Sequence, residues 1–433
     1  MKLINFKILN FKSIIDSGSI NISDIACFIG KNDSGKSSFF DALYRFNPLI
    51  NPDIINYRKE DFPKDKIAFM TPHSHVIEAL FELNTSEIEV INQKFGETAL
   101  KTNQVNVAKD YSNEFNWDFA VNEIVYVKHL MKKKELPSEI FDLIENLSTI
   151  SQCLEKLQTI PTPPKNLSSF INQLEILELR SMQDEIVEGY LINWLPKFYY
   201  LSVLKTIKNN ISLKNANINL YKPNSPIKYL DPSIGFIKLI GIDIDEIIFG
   251  ETPEIIQRTL QSLAANLNEK FHSLFPALSH LSLKFITTPI LELDQTVDSS
   301  LGIFIENHKN NSQVSIEKGS LSFVQILSFI SMLSVISGAS TNTIILLDTP
   351  MSFLDEENQY SFCQYLHNIL CEYNQVLYNT QSPLMINTDA LSKLNIISNK
   401  NDLGSTIQQE INFEDTTNVP TTLRTALLLN KLA

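Results

Sequence analysis

The sequence has 433 residues, of which 43% are hydrophobic and 20% are charged, a balance that allows two or three globular domains. With 36 basic and 49 acidic residues, the net charge of −13 argues against a protein coated for non-specific nucleic-acid binding, without excluding a local basic groove. No run of about 18 apolar residues predicts a membrane span, and the N-terminus lacks the apolar core of a signal peptide. We therefore expect a soluble, cytoplasmic protein.

The cysteines also indicate a reducing, cytoplasmic compartment. Their spacing matches neither a CxxC pair nor a zinc site, and Cys27 lies in an apolar, strand-like run where a small buried side chain fits. We expect free thiols in a reducing environment at all four positions, Cys27, Cys153, Cys363 and Cys371.

The first region, residues 1–95, is predicted to hold strands around one helix. Apolar and polar residues alternate over 3–11, and two more strand-like runs, at 20–22 and 26–29, lead into a glycine loop. The segment SSFFDALYRFN after this loop has helical spacing, and VIEALFEL at 76–83 predicts another strand.

Residues 96–299 are predicted to form a mostly helical insertion. Apolar residues recur at three- and four-residue steps on both sides of the prolines at 161–164, so residues 138–185 are expected to form two antiparallel helices. A short projecting arm is the simplest interpretation, and a helical subdomain packed against the rest of the protein is the alternative.

The last region, residues 300–433, returns to alternating helices and strands. A helix over 323–336 precedes the strand TIILLD, and a helix near 356–371 precedes the strand QVLYNT. Strands separated by helices of this length favour a parallel sheet, and the segment TTLRTALLLNKL near the end predicts a last helix.

The glycine loop carries the strongest motif. GKNDSGKS matches G-x-x-x-x-G-K-[ST], follows the strand ACFI and opens a helix, which is the context that a phosphate-binding loop requires. Backbone amides would wrap the phosphates of ATP, Lys36 would reach the β- and γ-phosphates, and the Ser37 hydroxyl would ligate Mg²⁺. The predicted nucleotide contacts are Gly30, Lys31, Asn32, Asp33, Ser34, Gly35, Lys36, Ser37 and Ser38.

A second candidate for the same site lies far along the chain. The apolar strand TIILLD ends in Asp348, as a strand must if its carboxylate is to hold the Mg²⁺ shell. The strand QVLYNT, one helix later, ends in polar residues that can face the γ-phosphate. Lys36 and Asp348 lie 312 residues apart (348 − 36), more than a few crossover units need, so a long insertion separates the two parts.

These segments resemble the ABC-class AAA ATPases of the overcoming-lysogenization-defect (OLD) type, which are similar to SMC and RecF proteins. The matching segments are NFKSI at 10–14, GKNDSGKSSFFDAL, VIEALFEL, KGSLSFVQILSF at 318–329, LLDTPMSFLDEENQ and YNTQSPLMI. The resemblance implies an α/β, ABC-type P-loop NTPase head assembled from both chain ends. It covers most of the chain in patches and is loosest in the middle.

The resemblance also implies a partner and further site residues. In such proteins the signature segment of one protomer completes the ATP site of another, which implies a homodimer or a higher homo-oligomer joined through the heads. Ser320, Ser322 and Phe323 fall at the signature positions. Many relatives continue into a TOPRIM nuclease domain, whereas only 47 residues follow Ile386 (433 − 386), so a nuclease or toxin effector is expected to be a separate protein.

Departures from the family pattern concern hydrolysis rather than binding. The residue after Asp348 is Thr349, where a general-base carboxylate is usual, and a threonine hydroxyl does not accept a proton at neutral pH. Asp355 or Glu356 is a carboxylate that can substitute. Gln381 replaces the usual switch histidine and can still hold a water molecule. The residues assigned to catalysis are Asp348, Thr349, Asp355 and Gln381, and Mg²⁺ is assigned to Ser37 and Asp348.

Other candidate sites are weaker than their structural alternatives. His73 and His75 lack a third metal ligand, so solvent-facing loop residues are favoured. The lysines at 132–134 fit a solvated helix face better than a DNA contact. The aromatic residues Trp194, Phe198, Tyr199 and Tyr200 fit a hydrophobic core better than a base-stacking platform.

Three functions follow as hypotheses. The first is a bacterial ATPase that dimerises on ATP, hydrolyses it slowly and acts in DNA maintenance, DNA repair or anti-phage defence with a separately encoded effector. The second is a catalytically quiet, ATP-gated scaffold or sensor that holds a nuclease or toxin. The third is a DNA-binding structural clamp.

Overall fold

The structure is a computed structural model that describes residues 1–51, 54–161, 163, 165–202, 204–222, 229–250, 252–291, 297–337, 342–400, 404–409 and 420–432. Contacts divide the chain into two compact units. Unit 1 comprises Met1–Ile22 and Tyr57–Pro196, and unit 2 comprises Ser23–Asn56 and Lys197–Ala433. Each unit therefore draws on separate stretches of the sequence.

The described strands are, in chain order, β1 (Lys2–Phe11), β2 (Ile14–Asp16), β3 (Ile20–Asn21), β4 (Ile25–Gly30), β5 (His75–Glu82), β6 (Gln104–Asp110), β7 (Phe115–Asp118), β8 (Lys197–Leu201), β9 (Ile211–Ser212), β10 (Leu281–Leu291), β11 (Val297–Asn307), β12 (Ser312–Ser315), β13 (Thr343–Asp348), β14 (Gln375–Thr380), β15 (Leu394–Lys400) and β16 (Gly404–Gln408). The described α-helices are α1 (Lys36–Phe46), α2 (Thr85–Phe95), α3 (Glu123–Lys133), α4 (Ser138–Ile144), α5 (Ile150–Gln158), α6 (Lys165–Leu179), α7 (Met182–Ile186), α8 (Ile192–Trp194), α9 (Leu213–Tyr221), α10 (Pro232–Ile240), α11 (Pro253–Leu274), α12 (Leu321–Ser337), α13 (Glu356–Tyr365), α14 (Cys371–Tyr373) and α15 (Thr421–Leu432).

Unit 1 is built on antiparallel strands and short helices. Its strands pair in the order β7-β6-β5-β1, and β2 and β3 also pair with β1. Alternate side chains of β1 are buried, among them Phe6 and Ile8, because successive residues of a strand face opposite sides of the sheet. The N-terminal alternation in the sequence therefore predicted this strand correctly.

The helices between residues 138 and 179 pack through apolar faces. α5 and α6 contact each other, and Cys153, Leu157 and Leu174 are buried between neighbouring helices. With 9 and 15 residues, these helices are far shorter than a long coiled-coil arm. The domain boundaries drawn at residues 95 and 299 stay predictions, and β11 extends across the second of them.

Unit 2 contains the parallel sheet that the C-terminal region predicted. The strand order is β8-β13-β14-β4-β15-β16, with parallel pairing throughout except between β15 and β16. β4, from the start of the chain, lies between β14 and β15, from its end. The prediction of an α/β head assembled from both chain ends is therefore confirmed, and helices predominate in the stretch between the two ends.

Unit 2 has a second, antiparallel sheet, of which β9, β10 and the first residues of β11 lie in the region 96–299 that was predicted to be mostly helical. β11 pairs with β9, β10 and β12, and the long helix α11 packs on β10. Helices α10 and α12 approach so closely that a Cβ at Gly235 would lie 2.1 Å from the carbonyl oxygen of Ser331. Only glycine fits that crossing.

Two expectations about the environment can be compared with the structure. Among the described residues, no helix combines the length and apolarity that crossing a bilayer requires. All four cysteines are free thiols, and three of them are buried.

Candidate nucleotide-binding site

The site lies in unit 2, where three adjacent parallel strands end at the same edge of the sheet. In the register of the sheet, Asp348 at the end of β13 pairs with Asn379 in β14, and Asn379 pairs with Phe28 in β4. Gly30 follows Phe28 by two residues and starts the phosphate-binding loop. Parallel pairing thus brings the loop and the distant acidic strand end together, as open α/β sheets do at their ligand sites.

The backbone geometry of the loop requires both of its glycines. A Cβ at Gly30 would lie 2.5 Å from the carbonyl oxygen of Ile397 in β15 and 2.6 Å from the Ser34 hydroxyl. Gly35 has φ of 100°, a left-handed value that disfavours residues with a side chain. The next residue, Lys36, begins α1, so the free amides of the first helical turn adjoin the loop. Substitution of either glycine would move the loop backbone.

Lys36 lies beneath this loop. Its side chain is only 6% exposed, and its ammonium group donates to the carbonyl oxygens of Gly30 at 2.9 Å and Lys31 at 2.7 Å. Burial lowers the pKa of Lys36 below its ordinary value, and the carboxylates of Asp348 and Asp33 oppose that shift. The charge of Asp348 therefore acts on Lys36 across a sequence separation of 312 residues (348 − 36).

One hydroxyl of the loop lacks a partner. Ser34 Oγ is buried and makes no hydrogen bond within the described part of the chain. A buried polar atom without a partner is costly unless a ligand or water satisfies it. By contrast, Lys31, Asn32, Asp33 and Ser37 are exposed, and Ser38 is half-buried. The loop thus presents polar groups outward, as a phosphate cradle must.

The Asp348 carboxylate is held at both oxygens. The Tyr200 hydroxyl donates to Oδ2 at 2.7 Å, and Asn379 Nδ2 donates to Oδ1 at 2.8 Å. Asn379 is completely buried, and its Oδ1 accepts a hydrogen bond from the amide of Thr349 at 2.9 Å. These bonds fix both the carboxylate and the first residue of the loop that follows it.

Tyr200 was missed as a site residue, because β8 was assigned to the core as a whole. Phe198 and Tyr199 are indeed buried, and Trp194 is half-buried, but Tyr200 belongs to the strand next to β13 and reaches Asp348. Burial raises the pKa of Tyr200 far above its ordinary value, and the hydrogen bond to Asp348 adds to the shift. The hydroxyl therefore stays protonated and donates. The sequence held no signal for this contact, because it depends on the pairing of β8 with β13.

Thr349 adopts an uncommon backbone conformation. Its φ is 50°, and Met351 has φ of 54°, so two residues with side chains occupy the left-handed region within one loop. For a β-branched residue this conformation is a clear outlier and costs on the order of 1–3 kcal/mol. The hydrogen bond from the Thr349 amide to Asn379 helps to hold it.

The signature segment is placed only partly as expected. Ser320 is exposed and directly precedes α12, and Ser322 lies in the first turn of that helix. Phe323 is completely buried, with its ring centroid 4.6 Å from that of Phe271. The assignment of its side chain to the nucleotide is therefore corrected: Phe323 anchors α12 to the core, and Leu321 is the exposed apolar residue at the helix start.

Asp355 and Gln381 are both exposed, but they differ in their hydrogen bonds. Asp355 caps α13 by accepting from the backbone and side chain of Asn358, and Ser322 Oγ donates to it at 3.4 Å. Burial opposes ionisation of Asp355, but these hydrogen bonds outweigh it and lower the pKa of the carboxyl. A carboxylate held in this way is a weak general base. Gln381, directly after β14, is exposed.

Of the weaker candidates in unit 1, His73, His75 and Lys134 have structural partners. His73 and His75 lie near Asp110 and Glu78, at 3.3 and 2.8 Å, and the described residues contain no cluster of three or more His, Cys, Asp or Glu suited to a metal ion. Lys134 donates to the Ser169 hydroxyl. Solvated surface positions therefore account for these residues.

A family model described as an AAA ATPase domain matches residues 1–386, which is most of the chain. The chain belongs to this AAA ATPase family. The match includes the P-loop, the signature segment, Asp348 and Gln381. No curated protein sequence matches the chain significantly.

Solved structures of SMC heads give only weak similarity to this AAA ATPase. One is an SMC head domain from Thermotoga maritima, at 13% identity over 95% of this chain and 100% of that one, with a TM-score of 0.39. Another is an Smc head domain with an extended coiled coil bound to the C-terminal domain of ScpA, derived from Pyrococcus furiosus, at 13% identity, 100% and 99% coverage and a TM-score of 0.42. Similarity at this level supports no functional inference.

Proposed function

We propose that this AAA ATPase binds Mg²⁺-ATP at the sheet edge formed by β4, β14 and β13. The observation that carries the proposal is the convergence of the P-loop with Asp348, seen in the strand register and in the effect of Asp348 on Lys36. The buried Ser34 hydroxyl, which has no partner among the described residues, and the free amides in the first turn of α1 fit a phosphate group.

The donor set also fits Mg²⁺. Ser37 and Asp348 would hold the ion through oxygen atoms, the ligand type that Mg²⁺ prefers. When bound, Mg²⁺ supplies charge neutralisation at the β- and γ-phosphates. Tyr200 and Asn379 hold the Asp348 carboxylate in one orientation, and Lys36 carries the balancing positive charge.

A homodimer, or a higher homo-oligomer, joined through the ATP-binding heads is the second part of the proposal. Ser320 and the first turn of α12 are accessible, and two apolar residues of unit 2 near the signature and Asp355 segments are exposed, Leu321 at 58% and Phe353 at 49%. Exposed apolar side chains around polar site residues favour a protein interface. In this arrangement Ser320 and Ser322 bind the γ-phosphate of the partner's ATP.

ATP hydrolysis is proposed to be slow. Thr349 supplies no base, and Asp355 is engaged as a helix cap, so neither provides the free carboxylate that deprotonates water efficiently. Gln381 remains to orient the water molecule through its amide. Positioning without a strong base still accelerates phosphoryl transfer, because the transition state is loose and mainly needs charge stabilisation.

For the biological role, we propose an OLD-type ATPase that acts in bacterial DNA maintenance or anti-phage defence with a separately encoded effector. Support comes from the motif resemblance, above all GKNDSGKSSFFDAL and LLDTPMSFLDEENQ. The lack of a base at Thr349 and the helix-capping role of Asp355 also favour one alternative. This is an ATP-gated scaffold that binds ATP without meaningful turnover and holds a nuclease or toxin.

Two measurements test these proposals. Titration with a fluorescent ATP analogue is expected to show Mg²⁺-dependent binding that Lys36→Ala weakens at least about a hundredfold, whereas Lys309→Ala, at an exposed turn, leaves it unchanged. Equal affinity of both variants would exclude the proposed site. Phosphate release then separates the functions: slow turnover that is lost in Lys36→Ala supports the ATPase, and binding without release supports the scaffold.

A further inference from the structure

Gln359, in the first half of α13, is buried although its side chain is polar. It is only 8% exposed, and both ends of its amide are used. Nε2 donates to the carbonyl oxygen of Leu354 at 2.6 Å, and Oε1 accepts from the Ser382 hydroxyl. A buried amide with both partners in place fixes two chain segments relative to each other, and removing it would leave the Leu354 carbonyl unsatisfied.

The two segments that Gln359 joins belong to different parts of the site. Ser382 follows Gln381, the residue proposed to face the γ-phosphate. Leu354 precedes Asp355, which accepts a hydrogen bond from Ser322 at the start of the signature helix. A continuous polar connection therefore runs from the end of β14, through Gln359, to the start of α12.

The loop at the middle of this connection is strained. Thr349 and Met351 hold left-handed backbone conformations, and Leu354 N donates to the Met351 carbonyl at 3.1 Å. Such conformations persist only where surrounding contacts impose them, and they cluster in segments that switch between states. The Asn379 bond to Thr349 and the Gln359 bond to Leu354 restrain the two ends of this loop.

We propose that Gln359 is a positioning residue that couples γ-phosphate binding at Gln381 and Ser382 to the arrangement of Asp355 and Ser322. The coupling rests on the proposed ATP-binding function. It acts within one chain. The nucleotide bound at one site therefore sets the conformation of the signature segment that would complete the partner's site. The conformation of the strained loop from Thr349 to Leu354 depends on contacts with both the γ-phosphate site and the signature segment.

Hydrogen exchange with mass spectrometry tests this coupling. The protein is kept at a concentration where sedimentation detects no dimer, and exchange is compared with Mg²⁺-ATP and with Mg²⁺-ADP. In the wild-type chain, ATP but not ADP is expected to slow exchange about threefold in peptides covering 319–325, in addition to slowing it in the P-loop. Gln359→Leu is expected to keep the P-loop response and lose the response at 319–325.

Two further variants keep the test decisive. Ser382→Ala removes the same hydrogen bond from a partly exposed position, together with the one that the Leu384 amide donates to the Ser382 hydroxyl at 3.3 Å, and is expected to behave like Gln359→Leu, even if the latter folds poorly. Gln364→Leu, on the same helix and hydrogen-bonded only to Asn368 among the described contacts, serves as the control and is expected to respond like wild type.

Each outcome has a distinct meaning. Loss of the 319–325 response in both Gln359→Leu and Ser382→Ala, with the P-loop response intact, supports the coupling. An unchanged response in these variants, or no response at 319–325 in the wild type, overturns it while leaving ATP binding in place. Absence of any P-loop response in the wild type overturns the proposed function itself.

Discussion

The two halves of the candidate site differ in how closely their residues meet the demands of ATP chemistry. In the P-loop half, Gly30 avoids a clash with β15, Gly35 allows a left-handed backbone, Lys36 is buried beneath the loop, and the Ser34 hydroxyl has no partner among the described residues. In the Asp348 half, Thr349 stands where a base is usual, its backbone is strained, and each Asp348 oxygen accepts a hydrogen bond from a protein group.

ATP binding and ATP turnover therefore have separate physical requirements. Binding needs backbone amides and a cation, and the P-loop half supplies both through the first turn of α1 and Lys36. Turnover also needs a group that positions or deprotonates water, and in the Asp348 half we propose Gln381 for this role in place of the usual carboxylate. Substitutions in the two halves are therefore expected to have different kinetic effects.

The largest effect is expected from Gly30→Ala, which would break the P-loop half. Its Cβ would meet the Ile397 carbonyl oxygen at 2.5 Å, so the loop or β15 must shift at a cost of about 2–3 kcal/mol. ATP affinity should fall at least about a hundredfold, and chemical denaturation should show the lower stability. Gly189→Ala, where no atom outside the backbone of its own helix lies within 4 Å of the added Cβ, is the control; it should leave ATP affinity unchanged and should not lower stability, because alanine favours the helical segment Val187–Leu191.

The next largest effect is expected to be a pH dependence of folding stability in the Asp348 half, which contains Gln381. His367 lies 3.0 Å from the Tyr378 hydroxyl, which donates to the Met385 carbonyl oxygen in the segment after Gln381. Burial, assisted by the charge of Lys393, lowers the pKa of His367 from 6.5 to about 4. Protonation therefore favours the unfolded state, whose histidine keeps the higher pKa.

The stability due to His367 is complete above pH 6.5 and is lost as the pH falls toward 4. Between pH 7 and pH 5 the loss should be about 2 kcal/mol in the free energy of unfolding. His367→Gln should flatten this dependence relative to wild type in urea titrations. A variant with the same slope as wild type would show that other groups cause the pH dependence.

Thr349→Glu supplies the missing carboxylate in the Asp348 half and so tests whether a base limits turnover. If turnover is limited by the absence of a base, the rate of phosphate release should rise about tenfold while ATP affinity stays within about twofold. Thr349→Gln has the same shape but cannot accept a proton, so it should remain slow. An equal rate in both variants would show that the limit lies elsewhere.

Tyr200→Phe is expected to have the smallest effect. It removes one hydrogen bond to Asp348, which corresponds to about 1 kcal/mol, and should weaken the Mg²⁺ dependence of ATP binding about fivefold. ATP binding without Mg²⁺ should not change. Tyr199→Phe, in the same strand with its hydroxyl on the Tyr229 carbonyl, is the control and should leave the Mg²⁺ dependence as in wild type.

The sequence predicted the local elements of the site well, because each depends on short-range patterns. Alternating residues gave β1, an apolar run gave β13, and glycine positions gave the loop before α1. The resemblance to ABC-type heads added the pairing of distant chain ends, which periodicity alone does not determine.

The interactions that the sequence did not reveal depend on lateral neighbours in the sheet and on side-chain direction. Tyr200 reaches Asp348 only because β8 pairs with β13, and nothing in the FYYL segment indicates that partner. Phe323 faces the core because of its angular position on α12. Likewise, Gln359 is one of several polar residues in α13, and only tertiary packing shows that it is buried.

The central claim is that the P-loop and Asp348 form one Mg²⁺-ATP site. The most direct test replaces Mg²⁺ with Mn²⁺ and measures ATP-dependent Mn²⁺ binding by electron paramagnetic resonance in wild type, Asp348→Asn and the exposed control Asp389→Asn. We predict about one bound Mn²⁺ per chain in wild type and the control, and a loss of affinity of about tenfold or more in Asp348→Asn. Equal Mn²⁺ binding by all three proteins would contradict the claim.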